Sequence, residues 1–166
     1  MVQYAEYISP IGTLLLSAEE DALTGLWMDR PLPPQCIPAR NHPVINAAVQ
    51  WLDAYFRGEN PAVTVALRPA GTAFQQRVWL RLREIPYGRV CTYGDIAREM
   101  EGTTGKRMSA QAVGGAVGSN PISILIPCHR VMGAKGKLTG YAWGVDRKQW
   151  LLCHEGWKGM EYNDHQ

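Results

Sequence analysis

"RPAGTAFQQRVWLRLREIPYG", residues 68–88, decides how the rest of the chain divides. Pro69 and Gly71 punctuate its start, which predicts a joint near residues 68–72. Thr72 then stands where a helix N-cap belongs, ahead of Phe74, Val78, Trp79, Leu82 and Ile85 at helical spacing. Pro86 and Gly88 stop that helix. Charge changes at the same place. Residues 1–70 hold 4 basic and 7 acidic side chains, whereas residues 71–166 hold 13 and 8. An acidic first part and a basic second part are expected, and only the second suits a polyanion. Ordinary solvated surface explains the imbalance equally well. The boundaries read from this pattern are 1–68, 69–156 and a frayed tail, 157–166.

Upstream, "YISPIGTLLLSAEEDALTGLWMD" (7–29) alternates strand-like runs with turn signals at Pro10-Ile11-Gly12 and Glu20-Asp21, the pattern of an antiparallel meander. "RPLPPQCIPARNHP" (30–43) reads as a loop. "VINAAVQWLDAYFRG" (44–58) places Val44, Ala47, Ala48, Leu52 and Tyr55 on one helical face, and "PAVTVAL" (61–67) reads as a short strand. Downstream, Thr92 caps a helix over 93–100, with Asp95 as its capping-box partner. A glycine-rich basic loop, "EGTTGKR" (101–107), leads to Ser109, the cap of "AQAVGGAVG" (110–118). Gly114, Gly115 and Gly118 each cost that helix about 1 kcal/mol relative to Ala. Either a large partner comes close to its backbone or another helix packs tightly on it. Two short helices around a glycine-bearing turn suggest a helix-turn-helix. "SNPISILIPCHRV" (119–131) reads as a loop and a buried strand, "MGAKGKLTGYAWG" (132–144) as a loop, and "VDRKQWLLCHEG" (145–156) as the last helix.

Composition removes several classes of function. The chain has 166 residues, 46% of them hydrophobic, enough for a packed core. No run approaches the roughly 20 apolar residues that cross a bilayer. "MVQYAEYISPIGTLL" lacks the basic start and apolar core of a secretion signal, so a cytoplasmic, reducing location is expected. Cys36, Cys91, Cys128 and Cys153 show neither C-x-x-C nor a zinc-ligand His spacing, so no metal site and no disulfide framework is expected.

That leaves Cys128-His129-Arg130. A thiol with its usual pKa of about 8.5 needs a base or a positive neighbour to become a nucleophile. His129 is adjacent, but successive strand side chains face opposite ways, so a bend or an intervening water is needed. An imidazole in that role needs a partner to fix its tautomer, and Glu155 is the candidate. Arg130 reads either as a structural ion pair or as a stabiliser of the thiolate. Cys128 itself can equally be a small buried hydrophobe.

"PCHRV" (127–131), preceded by "SNPISILI" (119–126) and followed by "TGYAWGVDRKQWLLCHEG" (139–156), closely resembles the O6-alkylguanine-DNA alkyltransferases. "GTAFQQRVWLRLREIPYGRVCTYGDIA" (71–97) carries the same resemblance, and the first half matches through "SPIGTLLLSA". The resemblance implies an α+β fold: an N-terminal antiparallel-sheet, ribonuclease H-like subdomain and a C-terminal, mainly helical, winged-helix-like subdomain with a helix-turn-helix. It implies direct repair. A guanine alkylated at O6 (and a thymine at O4) is flipped from duplex DNA, and its alkyl group passes irreversibly to Cys128 without a cofactor. His129 becomes the water-mediated base, oriented by Glu155, with Asn120 bracing the turn and Tyr93 lining the pocket. The carbonyls of Cys128 and Val131 read the guanine, and Ser123, Tyr141, Ala142 and Trp143 complete its surroundings. Gln111, Ala112, Gly114, Gly115 and Val117 belong to the recognition helix in the minor groove, and Lys106, Arg107 and Arg130 add positive charge toward DNA. The implied partner is alkylated double-stranded DNA, bound by a monomer, with cooperativity left open.

Two positions depart from the family's pattern. Gln111 stands where an Arg commonly fills the gap left by the flipped nucleotide, which predicts weaker holding of the extrahelical base, offset by Lys106 and Arg107. Trp143 stands where some relatives have Gly, which predicts transfer of methyl and exclusion of benzyl groups unless the indole packs into the core. Three rival readings remain: a non-repairing relative that binds alkylated DNA and recruits other factors, in which Trp typically replaces the reactive Cys; a helix-turn-helix regulator; and a thiol hydrolase that turns over.

Overall fold

The computed structural model describes residues 1–138 and 140–158. The chain forms two compact units, one of residues 1–70 with 121–125, the other of residues 71–120 with 126 onward. In the first unit, β1 (Gln3–Ser9), β2 (Gly12–Glu19) and β3 (Ala22–Trp27) make the expected antiparallel meander. The sheet order is β3-β2-β1-β4, where β4 (Ile37–Pro38) pairs parallel to β1. That short strand corrects the expectation of a loop over 30–43: the Ile37 amide donates to Val2 O and the Ala39 amide to Tyr4 O. Pro38 is tolerated because an edge strand needs no second set of donors.

Helix α1 (Pro43–Phe56) is capped by His42, whose Nδ1 accepts the Val44 amide at 3.1 Å. Its buried stripe is Ile45, Ala48, Leu52 and Tyr55, one register over from Val44 and Ala47. These side chains join Leu14, Leu16, Leu23 and Leu26 in the core of the unit. The segment 61–67 is not a strand: only Leu67 bridges Leu23. Nor is 122–126. Ile122 bridges Leu26, but Ile124 adopts a left-handed backbone (φ 71°) and prolines stand at 121 and 127, so the apolar run is buried without a ladder.

In the second unit, α2 (Ala73–Leu82) and α3 (Tyr93–Thr104) begin with complete capping boxes, Thr72 with Gln75 and Thr92 with Asp95. Helix α3 runs through 101–104, which were expected in a loop, and ends where Gly105 takes the left-handed backbone (φ 72°) of a C-cap. Ser109 then caps α4 (Ala110–Gly118) by accepting the Ala112 amide at 3.0 Å. Helices α3 and α4 form the helix-turn-helix. Trp79 of α2 donates from Nε1 to Ala116 O at 2.8 Å and ties α4 to the core. A two-stranded parallel pair, β5 (Cys91–Thr92) with β6 (Val131–Met132), sets Cys91 opposite Val131. Helix α5 (Val145–His154) closes the unit. The mixed architecture, with a sheet in the first unit and helices in the second, is the α+β class expected. Of the tail expected to fray, residues 159–166 lie outside the described residues.

Candidate active site

Cys128, His129 and Arg130 form a single 3-10 turn, not the end of a strand. The turn replaces strict alternation with side chains about a third of a revolution apart, so adjacent residues need not face opposite ways. Asn120 braces its entry, donating from Nδ2 to Ile126 O at 2.8 Å. Pairing of β6 with β5 brings in the start of α3, and Tyr93 is its first residue.

Helix α5 completes the cluster. Lys148, Leu151 and Leu152, with the C-cap residue Glu155, fall at the i, i+3, i+4, i+7 spacing of one helical face, and all four are buried. Glu155 Oε2 lies 2.7 Å from His129 Nε2, and Arg130 grips the same carboxylate through Nε at 2.8 Å and Nη2 at 3.0 Å. Arg130 Nη1 also donates to Ile85 O at 2.7 Å, and its guanidinium lies 5.8 Å from the Tyr87 ring centroid. Burial alone would push the Glu155 carboxyl up. Hydrogen bonds and charge from His129 and Arg130 more than reverse that, and the carboxyl is held well below the usual range. Burial holds His129 in the other direction, neutral and below its usual 6.5, against the pull of Glu155. Arg130 is the partner that stays charged, so we assign the ionised Glu155 chiefly to it. With Glu155 accepting from Nε2, Nδ1 is the basic nitrogen of His129. It is buried and makes no hydrogen bond among the described residues.

Cys128 keeps 6% exposure, whereas His129 has none. Tyr93 lines a cavity of about 690 Å³ with Arg98, Gln111, Gly114, Lys135 and Gly140. Cys128 is not part of that wall; burial, and then the influence of Cys128, raise the Tyr93 hydroxyl. A Cβ built on Gly140 would lie 3.4 Å from the Tyr93 hydroxyl, so the loop sits close on this ring. Helix α4 turns Gln111, Ala112 and Gly115 outward. A Cβ on Gly115 or Gly118 would meet nothing within 4 Å, and one on Gly114 only an ordinary contact with Tyr93 at 3.8 Å. Tight packing inside the protein therefore does not explain these glycines. Lys106 and Arg107 are exposed in the turn before α4.

Two expected placements need correction. Val117 is 3% exposed, in the core side of α4, so it does not face a base stack. Arg130 is buried and occupied by Glu155 and Ile85 O, which makes it a structural ion pair and not a DNA contact. Ser123 is buried, and its amide donates to Leu26 O. Trp143 is 7% exposed and tilted against Tyr141 at 5.9 Å, and Ala142 is exposed.

One buried charge beside the site escaped the sequence reading. Lys148 has no exposed surface, and its Nζ donates to Val131 O at 2.5 Å. A lysine is rarely buried, which hides it from composition-based reasoning. Its place on the Leu151–Leu152–Glu155 face is the signal that could have found it.

No group of three or more metal-binding side chains is present among the described residues, and the four cysteines are free. No described helix is long and apolar enough to cross a membrane.

Comparison with known proteins agrees with this geometry. Residues 73–157 match the profile of the 6-O-methylguanine DNA methyltransferase DNA-binding domain, and residues 2–69 that of the ribonuclease-like domain of the same proteins. The chain belongs to the 6-O-methylguanine DNA methyltransferase family. It is 44% identical over 156 residues to a methylated-DNA–protein-cysteine methyltransferase of Methanosarcina acetivorans, covering 92% of this chain and 97% of that one. A protein of the same name from Haemophilus influenzae is 40% identical over 153 residues, covering 90% and 83%. Among solved structures, Mycobacterium tuberculosis OGT in complex with DNA superposes with a TM-score of 0.83 at 44% identity, covering 92% of each chain.

Proposed function

We propose that this protein reverses O6-alkylation of guanine in duplex DNA by moving the alkyl group to Cys128, once per molecule. One observation carries the reading: a buried thiol followed directly by an imidazole whose Nε2 is held 2.7 Å from a carboxylate that an arginine keeps ionised. The family relatives named as cysteine methyltransferases, and the OGT solved with DNA, support it.

His129 accepts the thiol proton at Nδ1 through water, because Glu155 takes the Nε2 hydrogen and fixes that tautomer. The thiolate attacks the alkyl carbon, the S–C bond forms, and the C–O6 bond breaks with its electron pair passing to the purine. The restored guanine takes up one proton from the Tyr93 hydroxyl, which burial keeps protonated, and Tyr93 regains that proton from water. The thioether has no route back, so the protein is consumed. Val131 O already accepts from Lys148, and a carbonyl's second lone pair remains for the guanine amino group. Helix α4 enters the minor groove through its outward face of Gln111, Ala112, Gly115 and Gly118, which requires little base reading. Lys106 and Arg107 meet phosphates. Trp143 acts on the substrate through Tyr141, by holding that ring in place. Residues 69–156 supply DNA binding and the acceptor, residues 1–68 structural support, and the working location is the cytoplasm.

The regulator reading has no use for the buried thiol, the hydrolase reading has none for the outward, glycine-bearing face of α4, and the relatives named as cysteine methyltransferases favour neither. The test is recovery of unmodified guanine from an O6-methylguanine duplex, measured by nucleoside chromatography. One equivalent of guanine per protein chain supports the reading. Continued product formation, or none, overturns it.

A further inference from the structure

We infer that the counter-charge of the Cys128 thiolate is the buried ammonium of Lys148, and that the imidazolium of His129 is only a passing proton carrier. The geometry starts from Nζ. It donates to Val131 O, three residues after Cys128, whose own carbonyl accepts the Val131 amide. It also lies 5.8 Å from the Tyr93 ring centroid and 6.0 Å from that of Tyr141. Strand β6, α3 and the loop before α5 thus all meet at one ammonium group, one residue beyond the turn that carries Cys128. The titratable and charged groups around it are Cys128, Tyr93 and Tyr141, with His129, Arg130 and Glu155 forming the neighbouring cluster. In that cluster Arg130 is matched by Glu155, so it has no surplus charge to offer the sulfur.

The direction of each interaction agrees. Burial lowers the Lys148 ammonium to about 8, and the charge of Cys128 favours its protonated form. Such coupling is reciprocal, so a protonated Lys148 favours the thiolate equally. Lys148 also disfavours a proton on His129, adding to the burial that keeps the ring neutral. Thiolate, neutral imidazole and ammonium are therefore the mutually supportive states. A proton taken by His129 passes on to solvent.

The proposal deepens the alkyl-acceptor reading, but its test does not need a transfer reaction. The Cys128 titration is followed in the intact protein by ultraviolet thiolate absorbance, with Cys128→Ser subtracted. Lys148→Met is expected to raise the midpoint by at least about one unit, a tenfold loss of thiolate at pH values below it. Lys148→Arg should restore most of the shift. An unchanged midpoint in a folded Lys148→Met protein overturns the proposal. Should that variant fail to fold, nitrogen NMR of His129 in the unaltered protein decides. A neutral ring, protonated at Nε2, under conditions where the thiolate is present is expected; an imidazolium there contradicts it. Guanine recovery assays on the unaltered protein judge the repair reading separately.

Discussion

The two units of this protein handle polar groups in opposite ways. In the first, the buried polar side chains are Ser17, His42 and Ser123, and its charged pairs lie outside, as Arg57 with Glu59 and Arg68 with Asp21 do. In the second, Asn120, His129, Arg130, Lys148 and Glu155 are all buried. A core of Leu14, Leu16, Leu23, Leu26, Leu52 and Tyr55 needs no charge to hold a sheet against a helix. Burying two cations and a carboxylate opposes folding unless every partner is present. Buried charge of this kind marks the second unit, where the proposed chemistry lies.

The sharpest way to break that comparison is to remove one partner from each unit. Glu155→Gln leaves Arg130 without its counter-charge in the interior and should cost about 3–5 kcal/mol. Tyr7→Phe in the first unit loses a 2.6 Å hydrogen bond to Asp53 at an exposed site and should cost about 1 kcal/mol or less. Urea unfolding of both variants measures this, and equal losses would erase the distinction.

A pH series sharpens it further. Because His129 is held below 6.5 in the folded state, the unfolded chain takes up a proton that the folded one does not as pH falls below about 6.5. Stability should therefore fall with pH through that window, and His129→Gln should flatten the slope. Lys148 works in the opposite range. Its ammonium is disfavoured by burial, so stability should rise as pH increases from about 8 toward the 10.5 of a free lysine. Lys148→Met should be at least as stable as the unaltered protein at neutral pH, although its thiol is less ionised. Thermal melts would show this separation of stability from function.

Smaller effects belong to α4 and the loop. Ala at Gly115 enters open space, so it should gain up to about 1 kcal/mol of stability. If the helix backbone approaches a DNA groove, the same substitution should weaken duplex binding, as measured by fluorescence anisotropy. Gain without loss would mean that DNA does not come close. Gln111→Arg should tighten binding to the alkylated duplex severalfold, and unchanged binding and repair would remove the significance of that position. Trp143→Gly should relax discrimination against benzyl groups modestly, by way of the Tyr141 ring that Trp143 packs against.

How much of this was legible beforehand follows from the range of each interaction. Thr72, Thr92 and Ser109 were readable as caps because a cap is completed within three residues. The buried face of α2, with Val78, Trp79 and Leu82, was readable from spacing alone. The β1–β4 and β5–β6 pairings join distant segments, only two residues long, and no local pattern announces them. The run 122–126 looked like a strand because burial makes a run apolar whether or not it pairs with another. The left-handed Ile124 is invisible in a sequence, since β-branched residues rarely adopt that backbone. His129 with Glu155 was foreseen from chemistry and resemblance. Lys148 and the structural role of Arg130 needed coordinates, because both are charges placed where composition says charges do not go.

Intact-mass spectrometry with peptide mapping, on protein mixed with excess O6-methylguanine duplex, addresses the central claim most directly. The account predicts a gain of one methylene's mass per chain, located on Cys128, complete after one equivalent and absent in Cys128→Ser. A gain located on Cys36, Cys91 or Cys153, or an unmodified chain beside repaired DNA, would contradict it.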